Sequence, residues 1–141
     1  MHYFTSSLTR FKSLNLLIGS IHLLHYTLIN FGSDSKPKHF CVYHPTDLIS
    51  SQGYFCPCTS IKPALEEYEY FIFHLRKETN ILFKHVNKET YAIFNRAINL
   101  DNEELLDSNL YEFVGQMKEK AINRFLEARK TYILKNFNLD N

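Results

Sequence analysis

Three cysteines and a histidine in the middle of the chain have the residue types of a metal site. Cys41-Val-Tyr-His44 is followed eleven residues later by Cys56-Pro-Cys58. Four thiolate and imidazole ligands give the closed tetrahedral shell that zinc takes in structural sites. In a segment poor in core residues, metal binding could supply folding energy that apolar burial does not. The spacing departs from the two-plus-two finger pattern, since Cys-x-Cys replaces Cys-x-x-Cys. The competing reading makes the three cysteines small buried hydrophobes. The leading expectation is therefore no cofactor, with zinc held by Cys41, His44, Cys56 and Cys58 as the alternative.

A second set, Glu67, His74, Glu78, His85 and Glu89, is spaced by 7, 4, 7 and 4 residues and would line one face of a helix. Carboxylates and imidazoles at that spacing build di-metal sites in bundles. Here the set points away from the apolar stripe of the same helix, so a solvated face with i,i+4 pairs is expected. A third set, Lys118, Lys120, Arg124, Arg129, Lys130 and Lys135, makes the last segment basic. These cations spread around the helical wheel instead of forming a stripe, so nucleic acid is not expected as a partner. No Gly-rich phosphate loop, Gly-x-Ser-x-Gly or His-Glu-x-x-His occurs in the sequence. Catalysis is not expected.

The elements that would carry these groups follow from composition and periodicity. The chain has 141 residues, 45% of them apolar and 22% charged, and a formal net charge of +1. That is one ordinary globular domain with no global pull toward polyanions. With 4 Gly and 4 Pro, a protein of many short strands and tight turns is disfavoured, and a mainly α fold is expected.

Three segments are distinguished. Residues 1–31 contain no acid, and the uncharged stretch Ser13–Ser33 is 21 residues long, near the length of a membrane-spanning helix. An apolar N-terminal helix is expected there, serving as a membrane anchor, an organelle transit segment or a bundle helix. Residues 32–61 collect Gly, Pro and Ser with the Cys/His motif and read as an irregular loop region. Within it, His39–Tyr43 could form a single strand with no evident partner. In residues 62–141, Pro63 suits a first helical turn, and apolar residues recur at helical spacing over about 63–100 and again over 109–137. The expectation is a long antiparallel helical hairpin whose apolar faces exceed what two helices can bury.

The functional expectation that follows is a non-enzymatic helical interaction or scaffold protein. It would dock onto a larger, membrane-associated assembly, a protein partner or a second copy, with Tyr68, Ile72, Phe94, Phe113, Met117 and Phe125 as the packing residues shared between the hairpin's own seam and the partner. The alternative is a zinc-stabilised helical module presenting its hairpin to nucleic acid. The odd cysteine count favours an intracellular, membrane-associated or mitochondrial setting over secretion.

Overall fold

The computed structural model describes residues 16–45, 53–81, 89–100, 105 and 109–137. The strands are β1 (Ser20–His25), β2 (Lys38–Pro45), β3 (Gly53–Thr59), β4 (Tyr70–His74), β5 (Glu89–Ile93), β6 (Ile98–Asn99) and β7 (Tyr111–Gln116). They form one sheet of order β4-β5-β3-β2-β1-β7, with β6 also pairing β3. Every strand pairing is antiparallel. Two single-turn helices, α1 (Tyr26–Ile29) and α2 (Leu75–Glu78), follow β1 and β4, and the long helix α3 (Glu119–Phe137) follows β7.

This architecture replaces the expected helical hairpin. The stretch 63–100 is not a helix: it contains β4, β5 and β6. The second expected helix, 109–137, starts at Glu119, and its first part is β7. The apolar stretch 13–33 contains β1 and the turn α1 in place of a long helix, and among the described residues no helix is long and apolar enough to cross a membrane. The segment expected to be irregular supplies β2 and β3, and the run His39–Tyr43 lies within β2 with a partner strand on each side.

The reason lies in burial on both sides of the sheet. Strands covered on both faces lose the apolar-polar alternation that marks a half-buried strand, so they read as continuous apolar runs. In register, Ile21, Val42 and Cys56 stand side by side on one face. They pack with Phe71, Phe73, Phe94 and, from α3, Ala121 and Phe125. On the other face, Leu24, Cys41, Tyr43 and Phe55 pack with Ile29, Leu100 and Leu105. Aromatic and β-branched residues fill β4, Tyr-Phe-Ile-Phe-His, as strand propensity favours.

Helix α3 lies over the first face. Ala121, Phe125, Ala128 and Tyr132 recur every three or four residues and turn toward the sheet. Glu119 in its first turn and Lys135 in its last complement the helix dipole. The sheet's two outer strands are also tied beyond their ends. Asn80 N–H donates to the Gln116 carbonyl at 3.1 Å, and Lys118 N–H donates to the Glu78 carbonyl at 2.8 Å. The chain leaving β4 thereby meets the chain leaving β7.

Gly19 fixes where β1 begins. Its φ is +78°, and a Cβ there would lie 2.7 Å from Ile122 Cγ1 on α3. Its N–H donates to the Tyr43 carbonyl and its carbonyl accepts from Met117 N–H, at 2.8 and 2.9 Å. Gly19→Ala therefore combines left-handed backbone strain with a clash against the helix. Urea unfolding is expected to show a loss of about 1–3 kcal/mol. An unchanged midpoint would show that α3 does not press on this turn.

Candidate functional site

The feature that shapes the site is an interruption on the far edge of β3. β5 pairs with Cys58 and Thr59, and β6 pairs with Tyr54 and Phe55. Between them the chain makes a 3-10 turn, Phe94–Arg96. Pro57, at that level of β3, has no N–H to offer a ladder. A central strand tolerates proline only where a rung is missing. The turn fills the gap and carries Phe94 and Asn95 out toward α3.

Between this turn, β3 and the second half of α3 lies a cavity of about 370 Å³, lined by His44, Tyr54, Phe94, Asn95, Ala97, Arg129, Tyr132 and Ile133. That is within the size range of small-molecule sites. Two ring stacks contribute to its lining. His44 stacks on Tyr54 with centroids 5.8 Å apart and planes at 29°, and Phe94 stacks on Tyr132 at 5.2 Å and 24°. His44 and Tyr54 are cross-strand neighbours in register, which places both on the α3 side of the sheet.

Arg129 supplies the cavity's cation. It is half-buried, and that burial lowers its pKa, opposed by the ionisable side chains of Cys56 and Tyr54. No described carboxylate pairs with it. Burial pushes the Cys56 thiol up to about 12 despite the opposing pull of Arg129, so at neutral pH that neighbour is uncharged. The Tyr132 phenol is likewise raised by burial. With no carboxylate beside it among the described residues, a partly desolvated guanidinium is costly to hold, and an incoming anion relieves that cost.

A second cavity, of about 500 Å³, lies between β4 and α3 and is lined in part by Glu67, Tyr70, Phe71, Arg124 and Glu127. Its cation is already matched. Arg124 pairs with the Glu78 carboxylate, donates to the Ile72 carbonyl at 3.1 Å and sits 5.2 Å above the Phe71 ring. Lys135 lies 5.3 Å over the Tyr68 ring. Of the basic set on the last segment, Arg129 is the member placed in a cleft with no carboxylate among its described lining residues. Lys118, Lys120 and Lys130 are exposed.

The expected zinc set does not come together. Cys41 pairs with Pro57 and faces one side of the sheet, whereas His44, Cys56 and Cys58 face the other, because side chains alternate along a strand. Among the described residues, no three His, Cys, Asp or Glu side chains are grouped to hold one metal ion. The three thiols are buried and free, and burial raises the pKa of Cys41 and Cys58 far above the usual thiol value. In the Glu67–Glu89 set, His74 and Glu89 are cross-strand partners on β4 and β5, Glu67 is exposed, and His85 lies outside the described residues.

Of the six residues expected to pack at the hairpin seam or against a partner, Phe94, Met117 and Phe125 are buried in the core, while Tyr68, Ile72 and Phe113 are half-buried. Ser20 and His22 form a hydroxyl–imidazole pair at 2.7 Å, a geometry that can activate a nucleophile. Both are fully buried. His22 packs against Tyr111 at 5.2 Å, Phe55 at 5.3 Å and Phe113 at 5.6 Å. The pair is part of the core.

Sequence reasoning missed Tyr54, Asn95 and Tyr132 as site residues, and it weighed Arg129 only as one member of a basic set facing nucleic acid. The available signal was Pro57 inside an aromatic run, which marks a broken ladder; nothing local indicated that Arg129 would lie across from it. No protein-family model and no curated protein sequence matches the chain.

Proposed function

We propose that the chain is a binding module for a small anionic ligand, held in the cleft between β3 and α3. The supporting observation is Arg129, a half-buried guanidinium with no carboxylate partner among the described residues, in a cavity lined by two ring stacks. Ligand pockets are mostly apolar with a few convergent polar groups, and a charged group with a perturbed pKa marks the functional one. The Asn95 amide and the Tyr54 hydroxyl are among the polar groups of its lining residues.

Thermal-shift measurement with paired anionic and neutral isosteres tests this reading. A ligand that binds the native state alone stabilises it by about 2.7 kcal/mol at a hundredfold excess over its Kd. The anionic members are expected to raise Tm for the natural chain, and Arg129→Gln should lose most of that rise. Equal rises for the two proteins would place binding elsewhere and contradict the proposal.

A further inference from the structure

We infer that the ligand of this cleft is a planar aromatic monocarboxylate, an inference that rests on the binding reading above and adds the ligand's chemical class. Charge is the first argument. Among the described lining residues Arg129 is the one with a permanent charge, and a single planar guanidinium matches a single carboxylate through two parallel N–H···O bonds. A phosphate monoester carries roughly −1.5 to −2 at neutral pH, so one cation would leave it uncompensated in a partly desolvated site. Helix α3 cannot make up the difference with its dipole. Its first residue, Glu119, precedes Arg129 by ten positions, roughly 15 Å along the axis, and dipole effects fade within the first turn.

Shape is the second argument. The stacks of His44 on Tyr54 and Phe94 on Tyr132 line a cavity of about 370 Å³ that has room for one or two fused rings. Offset and edge-on ring packing contributes about 0.5–1.5 kcal/mol per aromatic pair beyond area burial, so a flat ring gains more here than a saturated one of equal size. The carboxylate would meet Arg129 while the ring lies among Tyr54, Phe94 and Tyr132.

Amide NMR of the full chain, titrated with 2-naphthoate, 2-naphthyl phosphate and cyclohexanecarboxylate, tests this inference. The naphthoate is expected to shift resonances of residues 54, 95, 129 and 132, with a Kd at least tenfold lower than that of either comparator. Arg129→Gln should weaken naphthoate at least tenfold, and Arg129→Lys should fall between, since an ammonium lacks the planar fork. Tyr54→Leu, on the sheet side, should also weaken naphthoate, so the test does not depend on one variant folding. If the phosphate binds the cleft as tightly as the carboxylate, the ligand class is wrong and the anion-binding reading stands. If no probe shifts these four residues, both are overturned.

Discussion

Phe125→Ala is expected to destabilise the protein by about 3–5 kcal/mol, the cost of emptying a fully enclosed aromatic site. Phe125 is entirely buried. Its ring meets Phe71 edge-on at 5.4 Å and lies tilted against Phe94 and His44, each at 5.7 Å. It therefore joins α3 to β4, to the 3-10 turn and to β2 at once. Stability of that size is a large share of what a domain of this length has. Urea unfolding followed by circular dichroism measures it. A loss under about 1 kcal/mol, well below the cost of emptying an enclosed aromatic site, would show that α3 does not rest on the sheet through this residue. Because the helix forms one wall of the cleft, Phe125→Ala should also weaken any ligand bound beside Arg129.

Acid should unfold the protein through His22. Burial holds its imidazole near pKa 3 in the folded chain, against an ordinary value of 6.5. The unfolded chain therefore binds a proton that the folded chain does not, throughout the window between these values. Stability is fully present above pH 6.5 and is lost as pH falls toward 3. The loss between pH 7 and pH 4.5 is expected to be about 3 kcal/mol, at about 1.4 kcal/mol per pH unit inside the window. Tyr43 and Tyr111 beside it titrate far above this range, raised by burial. Carboxylates elsewhere also contribute to acid unfolding, so the informative quantity is the difference between the natural chain and His22→Phe. Denaturant curves at several pH values should show a shallower pH slope for the variant. Parallel slopes would mean that His22 is hydrated in the folded state.

The sequence was legible where burial was one-sided and opaque where it was two-sided. Glu119–Phe137 has an apolar stripe backed by charged residues, and its helical character from Ala121 onward was readable. Tyr70–His74 and Glu89–Ile93 sit in a stretch so dense in apolar residues that a 3.6-residue period could be traced through it. The aromatic and β-branched content of Tyr-Phe-Ile-Phe should have outweighed that period. The low Gly and Pro counts misled in the same direction. Among the described connections, those after β1 and β4 use single-turn helices, and Asn30 and Gly32 take positive φ after α1.

The cysteines show a related limit. Their spacing in sequence says nothing of faces until the strand register is known, and that register separates Cys41 from Cys56 and Cys58. For Arg129, the decisive partners are Tyr54 on β3 and the turn at Phe94, which lie more than thirty residues away in sequence. Only the tertiary arrangement brings them together.

The whole account depends on α3 lying across the sheet so that Tyr132 stacks on Phe94 while Phe125 meets Phe71. Proton–proton NOEs between these ring pairs in the ligand-free protein measure this directly. Centroid separations of 5.2 and 5.4 Å predict strong cross-peaks for both pairs. A spectrum in which helix 119–137 shows only contacts within itself would contradict the fold and the cleft together.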